Sequence, residues 1–406
     1  MNLLYNIGIQ IFVIIVRIAS LKNPKARKWL DGRKGLLKKV KTDLKNVENV
    51  IWIHCASLGE FEQGRPLIEE IKLKFPEKKI VLTFYSPSGY EVQKGYSNAD
   101  FIYYMPVDSY LNAKRFIKYT HPEVVFFIKY EYWFNYLAQL KKKGIPVYYV
   151  SAVFRKQQRF FRKNGWYRKM LQKPTHFFVQ NQESANLLES IQIHNYTITG
   201  DTRFDRVAHI LEKVQPIKLV EKFINGNDVI VAGSSWKAEE AILNQYIRNK
   251  PNLKVILVPH EIKPENIARI LTLYGNKAIL YSQAGSNNIT DKQVLVIDNY
   301  GMLTTLYQYG KIAFIGGGFG VGIHNVLEAA TFGMPILFGP NYEKFTEALD
   351  LVNQSCAFPV SNIEDFNTIV NYLLNDNRIV LDISERSSEY VRKNVGATRK
   401  ILGKVF

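Results

Sequence analysis

The chain has 406 residues, 47% of them hydrophobic and 13% aromatic, which is typical of a well-packed globular protein of about two domains. Its two cysteines, Cys55 and Cys356, exclude a disulfide framework and lack the spacing of metal ligands, so we expect no structural metal. The 54 Lys and Arg against 36 Asp and Glu give a net charge of +18, which indicates an acidic partner: nucleic acid, an anionic membrane or an anionic substrate. Nucleic acid is the weakest of the three and we expect none, because no zinc finger, RNP-type motif or recognition-helix pattern occurs.

The first 16 residues, MNLLYNIGIQIFVIIV, carry no charged side chain, and a dense basic block follows them as far as Lys45. A helix of this length reaches ~24 Å, short of the ~30 Å hydrocarbon core, so residues 1–21 either span marginally or lie in the interface. An apolar segment followed by basic residues predicts a membrane anchor whose basic side faces an anionic cytoplasmic leaflet. The alternative is a buried first helix of the core.

From residue 50 onward, β-rich apolar runs alternate with helical segments. The runs in the first half are Val50–Ala56, Lys79–Tyr85, Phe101–Met105, Val124–Ile128, Val147–Val150, His176–Val179 and Tyr196–Thr199. Those in the second half are Asp228–Ser235, Leu253–Glu261, Ala278–Tyr281, Val294–Asp298, Ile312–Ile315 and Pro335–Phe338. This alternation predicts an α/β protein with two Rossmann-like domains, each a doubly wound parallel sheet with crossover helices.

No low-complexity linker separates the two series of strands, and we place the boundary near Thr202–Pro216. The predicted division is an anchor at 1–21, a first domain at 22–205, a second at 206–385 and a tail at 386–406. The tail reads as an amphipathic helix that packs back on the first domain.

A glycine-rich loop follows the apolar run Ile312–Ile315. Its glycines are Gly316, Gly317, Gly318, Gly320 and Gly322, and His324, Asn325 and Glu328 come next, where a helix is predicted to begin. Glycines let backbone N–H groups approach a ligand, and a helix N-terminus favours negative charge, so the loop predicts an anion site within a βαβ unit. The alternative is a plain glycine turn, since the pattern is neither a dinucleotide fingerprint nor a P-loop.

Polar residues collect at the carboxyl ends of the predicted strands, where doubly wound sheets bind ligands. In the first domain these are His54, Ser57, Gly59, Glu60, Ser86 and Glu131; in the second they are Ser234, Ser235, Lys237, His260, Glu261, Asp298, Gly301 and the glycine loop. Two such faces looking across a cleft predict a two-domain sugar transferase.

Glu60 stands between a glycine turn and a helix predicted from Phe61 to Phe75, where a carboxylate can act as general base. The alternative is an ordinary glutamate favoured by the helix dipole. Glu131, flanked by aromatic residues, is either a second functional acid or a buried structural one. Similarly, His324 either contacts a ligand or caps its own helix, and His54 suits a packed core position.

Eight motifs together resemble a known family. In chain order they are HCASLGEFEQGRPLI, TFYSPSGYE, EVVFFIKYEYWFNYL, GDTRFDR, AGSSWKAEE, VPHE, DNYGMLTTLY and GGGFGVGIHNVLEAATFGMPILFGP. Over nearly the whole chain they are similar to the 3-deoxy-D-manno-octulosonic acid (Kdo) transferases of lipopolysaccharide assembly. The resemblance implies a GT-B fold and inverting transfer of Kdo from CMP-Kdo to a lipid A precursor at the cytoplasmic face of the inner membrane. It implies no metal and no cofactor.

The resemblance also implies roles for residues. It places the catalytic base at Glu60, and acceptor-side candidates at Ser57, Gly59, Arg65 and Glu131. It places the CMP-binding donor side at Arg203, Ser234, Ser235, Lys237, His260, Gly301, Met302, Gly316, Gly317, Gly318, His324, Asn325 and Glu328. Two rival functions remain: a GT-B enzyme that uses a UDP-sugar, and a non-catalytic membrane protein that binds anionic lipid.

Overall fold

The computed structural model of the chain describes residues 2–162, 165–286 and 289–406. It divides into two compact units, one formed by Met1–Arg206 with Asn394–Phe406 and the other by Val207–Lys393. Each unit is built on a seven-stranded sheet whose neighbouring strands all run parallel. The prediction of two doubly wound α/β sheets is therefore confirmed.

The first unit carries a sheet in the order β3-β2-β1-β4-β5-β6-β7. Its elements are α1 Asn2–Ala19, α2 Pro24–Asp31, α3 Leu36–Asp43, β1 Val50–Cys55, α4 Leu58–Lys74, β2 Lys79–Phe84, α5 Pro87–Gln93, β3 Phe101–Tyr104, α6 Tyr110–Thr120, β4 Pro122–Ile128, α7 Phe134–Lys142, β5 Val147–Ala152, a 3-10 turn Arg159–Phe161, α8 Arg168–Leu171, β6 His176–Val179, α9 Gln182–Glu189 and β7 Tyr196–Ile198. Helix α10, Arg203–Ala208, begins in this unit and ends in the other.

The second unit carries a sheet in the order β10-β11-β9-β8-β12-β13-β14. Its elements are α11 Ile210–Lys213, α12 Lys218–Ile224, β8 Val229–Ser235, α13 Lys237–Tyr246, β9 Lys254–Pro259, α14 Pro264–Tyr274, β10 Ala278–Leu280, β11 Val294–Val296, α15 Leu303–Leu306, β12 Ile312–Ile315, α16 Leu327–Thr331, β13 Ile336–Phe338, α17 Thr346–Asn353, β14 Ala357–Pro359, α18 Ile363–Asn375 and α19 Asn377–Lys393. Four 3-10 turns lie at Ile247–Asn249, Gly275–Lys277, Tyr281–Ser286 and Tyr307–Tyr309.

Both faces of the first sheet are covered, which explains why its strands read as continuous apolar runs. Trp52 of β1 belongs to one core, whereas its neighbours Ile51 and Ile53 belong to the other. The last helix, α20 (Ala397–Val405), returns to this unit and buries Ile401 and Leu402 in the second of these cores. Residues 386–393 of the predicted tail remain in α19 and in the second unit.

The helix that carries Glu60 begins earlier than the predicted Phe61. Ser57 has extended backbone angles and its hydroxyl accepts a hydrogen bond from the Glu60 N–H at 3.4 Å, so Ser57 is the N-cap of α4. Gly59 therefore lies in the first helical turn, and the expected glycine turn before Glu60 is wrong. A serine followed three residues later by a glutamate was the signal for this start.

Helix α1 packs on the first unit along one side only. On the inner side, the Tyr5 hydroxyl donates to the buried Asp108 carboxylate at 2.5 Å. On the outer side, large apolar residues are exposed, among them Leu4, Ile11 and Ile18. The alternative of a buried first helix is therefore wrong. Among the described residues, no helix combines the length and the apolar character needed to cross a bilayer.

Candidate active site

Glu60 lies in the first turn of α4, directly beyond the carboxyl end of β1. Its carboxylate accepts a hydrogen bond from the Ala56 N–H at 2.5 Å, so it is held against the residue that precedes the N-cap Ser57. Burial raises the pKa of Glu60 to about 8, and the negative charge of Glu131 adds to that rise. The Ala56 N–H and the Lys129 ammonium act in the opposite direction, since each stabilises the carboxylate. Glu60 is thus a carboxyl group that holds a proton near neutral pH.

Glu131 lies in a buried polar network between β4 and α7. Its carboxylate accepts from Trp133 Nε1 at 2.7 Å and faces His54 Nε2 at 3.3 Å, while the Tyr149 hydroxyl donates to its backbone oxygen at 2.6 Å. His54 Nδ1 lies 2.9 Å from the Thr83 hydroxyl. A proton on His54 Nε2 fits both partners of the ring. Nε2–H can donate to the Glu131 carboxylate, and the Thr83 hydroxyl can donate to Nδ1. His54 is fully buried, so it orients Glu131 and does not face solvent.

Other charged side chains near Glu60 are paired. Glu62 forms an ion pair with Arg206, and Arg65 donates to Glu69 at 2.8 Å one turn later in α4. Arg203 lies in the first unit, where it pairs with the buried Asp201 at 2.7 Å. The other donor candidates belong to the second unit, and the donor role of Arg203 stays a prediction. The sequence did not show that Asp201, two residues before it, would hold this arginine.

In the second unit, β8 leads directly into α13 and positions the predicted serines. The Ser235 hydroxyl is buried and donates to Glu240 at 3.1 Å. Glu239 accepts from the Trp236 N–H at 3.1 Å and from the Gly317 N–H at 2.8 Å, so it joins the start of α13 to the glycine loop. Lys237, the first residue of α13, is exposed. The N-terminus of a ten-residue helix and a lysine therefore stand beside this loop.

The glycine loop needs its glycines because backbone approaches backbone there. A Cβ on Gly316 would lie 2.0 Å from the Ser234 oxygen, and one on Gly318 would lie 2.4 Å from the Gly339 nitrogen. Gly317 has a φ of 92°, which L side chains rarely adopt. The backbone N–H groups of Phe319 and Val321 make no hydrogen bond to any described residue. The loop therefore presents free donors, as an anion site requires.

Three aromatic side chains stack next to this loop. The rings of His260 and His324 lie 4.4 Å apart, and the indole of Trp236 lies 4.6 Å from His260. Trp236 Nε1 donates to His324 Nε2 at 3.1 Å, which leaves the His324 proton on Nδ1. Burial, with the charge of His260, lowers the pKa of His324 to about 4, and burial also lowers the pKa of His260. Both imidazoles are therefore neutral at physiological pH.

These groups surround one cavity of about 550 Å³. Of the predicted donor residues, Ser235, Lys237, His260, Gly317 and His324 line it. Glu239, Glu261, Gly320 and Gly322 also line it, as the motif AGSSWKAEE, a strand end and the glycine loop had indicated. The lining residues that were not predicted are Trp236, Ala238, Asn266, Phe319 and Val321. Of these, Trp236 could have been predicted from the sequence, because it lies between the serines at the end of a strand and the start of a helix.

The remaining donor candidates lie outside the lining of this cavity: Ser234, Gly301, Met302, Gly316, Gly318, Asn325 and Glu328. Glu328 accepts from the Thr304 hydroxyl at 2.7 Å and from the Asn325 amide at 3.2 Å, so it ties α15 to α16. The helix expected after His324 begins only at Leu327 and has five residues. The helix N-terminus at the cavity is instead that of α13, because the loop folds back towards Glu239.

No group of three or more His, Cys, Asp or Glu side chains in the described ranges is placed to hold a metal ion.

Comparison with known proteins agrees with this architecture. A family profile, 3-Deoxy-D-manno-octulosonic-acid transferase (kdotransferase), matches residues 28–206. The 3-deoxy-D-manno-octulosonic acid transferase of Aquifex aeolicus is 29% identical over 358 residues, which cover 86% of this chain and 92% of that protein. The enzyme of the same name from Haemophilus influenzae is 26% identical over 414 residues, which cover 97% of this chain and 94% of that protein.

Among solved structures, MurG of Acinetobacter baumannii superposes with a TM-score of 0.55 at 13% sequence identity, covering 88% of this chain and 98% of that one. At this identity the likeness supports the fold alone, which is GT-B, an arrangement of two Rossmann-like domains. With the profile match and the related sequences, it confirms the expected fold and enzyme class. The chain is a glycosyltransferase, and its sequence is similar to the Kdo transferases over most of its length.

Proposed function

We propose that this chain transfers Kdo from CMP-Kdo to a lipid A precursor of the lipid IVA type, with inversion at the anomeric carbon and release of CMP. The observation that carries the proposal is the Glu60 carboxyl group, whose pKa is raised to about 8. A general base works best when its pKa lies near the working pH, and most carboxylates are far too weak. Glu60 has the proton affinity that this step needs.

In the proposed reaction, the Glu60 carboxylate takes the proton of an acceptor hydroxyl as that oxygen attacks the anomeric carbon of Kdo. The bond between this carbon and the phosphate oxygen of CMP-Kdo breaks, and its electron pair leaves with CMP. A single displacement of this kind inverts the anomeric centre. Burial, together with the charge of the Glu131 carboxylate, raises the affinity of Glu60 for this proton.

The cavity of the second unit suits the nucleotide half of the donor. Its α13 N-terminus, Lys237 and free loop amides favour a phosphate, and the leaving group of this reaction is an anionic phosphate. The stacked rings of Trp236, His260 and His324 are neutral and flat, which suits a pyrimidine base and the ribose. We therefore propose CMP-Kdo as the donor.

The acceptor in this proposal is an amphiphile, and α1 suits a membrane location. Its outer side exposes Leu4, Ile11 and Ile18, and the segment after it is rich in Lys and Arg. We propose that α1 lies in the interface of the inner membrane at its cytoplasmic face, where the basic residues attract anionic lipid. Binding to vesicles containing phosphatidylglycerol should therefore weaken as salt is raised.

The decisive test incubates the purified full-length chain with CMP-Kdo and a lipid A precursor in detergent. We expect product masses that rise by one or more Kdo residues, one CMP released per transfer, and an inverted anomeric configuration by NMR. UDP-N-acetylglucosamine in place of CMP-Kdo should give no product. Transfer from the UDP-sugar but not from CMP-Kdo would overturn the donor assignment, and retained configuration would overturn the role of Glu60.

A further inference from the structure

A second cavity, of about 520 Å³, lies in the first unit away from Glu60. Its walls come from the second half of α1, from α2 and the start of α3, and from the turn before α6. Apolar side chains form part of the wall, among them Val13, Leu30 and Leu37. The proposed transfer reaction uses no residue of this cavity.

The charged residues of this cavity, within the described chain, are all cations. They are Arg17, Arg33 and Lys34, and no Asp or Glu belongs to the lining. Lys34 pairs with Asp31 at 2.7 Å, but both side chains are more than half exposed, so this pair contributes little. The cavity therefore carries a net positive charge with no anion built into its wall.

Arg33 shows most clearly that the cavity lacks an anion. Its guanidinium donates to the backbone oxygens of Met105 at 2.9 Å, Trp29 at 2.8 Å and Tyr85 at 2.9 Å. It also lies 3.9 Å from the centre of the Trp29 ring. None of the groups bound to Arg33 carries a negative charge, and desolvation lowers the pKa of Arg33 to about 10. An anion in the cavity would supply the missing charge.

The N-terminus of α6 adds to the positive potential of the cavity. Ser109 is the N-cap of this eleven-residue helix, and its hydroxyl accepts from the Asn112 N–H at 3.3 Å. Ser109 and Asn112 both line the cavity, so the positive end of the helix dipole lies at its wall. The dipole and the three cations favour the same kind of ligand.

The surroundings of the cavity indicate what carries the anion. Gln10, Val13 and Arg17 of α1 face the cavity, while Ile11 and Ile18 of the same helix are exposed. A free inorganic anion would gain nothing from this apolar surface, whereas the acyl chains of a lipid would bury against it. The combination of an anion pocket and an adjoining apolar helix face matches a phosphorylated amphiphile.

We propose that this cavity is a stoichiometric site for the phosphate headgroup of an anionic membrane phospholipid, whose acyl chains lie along the exposed side of α1. One lipid molecule would then bind per chain, with its phosphate among Arg17, Arg33 and Lys34. Such a site holds the protein to the bilayer at a defined depth and orientation. It differs from general attraction to a charged surface because it saturates with one lipid.

The test uses dihexanoyl phosphatidic acid below its micelle concentration, so that no membrane surface is present, and calorimetric titration of the full-length chain. We expect saturable binding of one lipid per chain, and at least tenfold weaker binding of dihexanoyl phosphatidylcholine and of inorganic phosphate. Equal affinity for inorganic phosphate would overturn the lipid assignment. Absence of saturable binding would overturn the site itself.

Matched variants separate the cavity from net charge. Arg17→Gln with Lys34→Gln should weaken the phosphatidic acid affinity on the order of tenfold or more, because two headgroup contacts are lost. Arg27→Gln with Lys38→Gln removes the same charge from exposed positions outside the cavity and should change the affinity less than about twofold. Equal losses in the two variants would overturn the proposal. Arg33 is left intact, since it also bridges three backbone oxygens, and circular dichroism checks the folding of both variants.

Discussion

The Glu60 region of the first unit and the cavity of the second unit differ in how their polar groups titrate. Around Glu60, two carboxyl groups lie partly or fully buried, and burial, with a smaller contribution from the charge of Glu131, raises the pKa of Glu60 to about 8. Around the cavity, burial lowers the pKa of His260 and His324 and keeps both rings neutral, and the groups that favour an anion are backbone amides, a helix terminus and Lys237. Glu60 can therefore change its protonation state near neutral pH, whereas His260 and His324 stay neutral there.

This difference separates the two tasks of the proposed reaction. A proton acceptor must titrate near the working pH, and it is sensitive to every charge around it. A site for a nucleotide phosphate works through fixed dipoles and shape, so its occupancy need not follow pH. Substitutions in the first region should therefore change turnover, and those in the second should change donor affinity.

The largest expected effect is that of Glu60→Gln. The amide cannot accept a proton at neutral pH, so kcat should fall by ~10²–10⁴-fold while CMP affinity stays the same. Transfer assays and calorimetric titration with CMP measure the two quantities. Glu62→Gln is the matched control on the same helix, because Glu62 is paired with Arg206. Near-normal turnover in Glu60→Gln would remove Glu60 from the mechanism.

The next largest effect is expected for Gly318→Ala in the glycine loop. The new Cβ would lie 2.4 Å from the backbone nitrogen of Gly339, which cannot move aside alone, so the loop must shift. Overpacking costs ~1–3 kcal/mol, and we expect CMP affinity to fall by about tenfold or more with little change in the pH profile. Gly320→Ala is the control, since its Cβ would meet no atom closer than 3.5 Å. Equal affinities in the two variants would contradict the fixed shape of the loop.

A smaller effect is expected for Trp236→Ala. It removes the ring stacked on His260 and the donor to His324, and we expect CMP affinity to fall about five- to tenfold. The pKa of His324 should rise towards 6.5, since its ring becomes more exposed to water and Nε2 loses its donor. NMR titration of His324 measures this shift. Trp236→Phe should keep much of the affinity but not the hydrogen bond; affinity equal to that of the alanine variant would show that stacking is unimportant.

The smallest effect concerns pH. Because Glu60 acts as its carboxylate, kcat/KM should rise about tenfold per pH unit and level off near pH 8, where its pKa lies. Glu131→Gln removes a charge that raises this pKa, so the midpoint should move to lower pH but stay above an ordinary glutamate, since burial is the larger cause. The affinity for CMP-Kdo should be unchanged from pH 6.5 to 8.5. Glu69→Gln is the control, because Glu69 lies on the same helix and is paired with Arg65. An unmoved midpoint in Glu131→Gln would contradict the coupling.

Much of the fold was readable in the sequence, because strands buried on both faces appear as unbroken apolar runs. Strand β14 was missed, since Ala357–Pro359 has only three residues and ends in proline. The site was harder to predict. The order of residues along the chain is enough to place Glu60, Ser235 and His260 after strands. The stacking of Trp236 on His260 cannot be predicted in this way, because it depends on the conformation of the turn that ends β8. The bond from Gly317 to Glu239 joins residues far apart in the chain, and no local pattern indicates it.

The return of α20 to the first unit has a consequence for synthesis of the chain. Asp205 accepts hydrogen bonds from the backbone N–H groups of Gly396 at 2.5 Å and Thr398 at 2.6 Å, and α20 supplies Ile401 and Leu402 to a core begun by β1. During translation, the whole second unit is therefore synthesised before α20 is available to complete the core of the first unit. The nascent first unit exposes an apolar gap throughout that interval, so truncation within residues 394–406 should yield an aggregating product and leave the second unit folded.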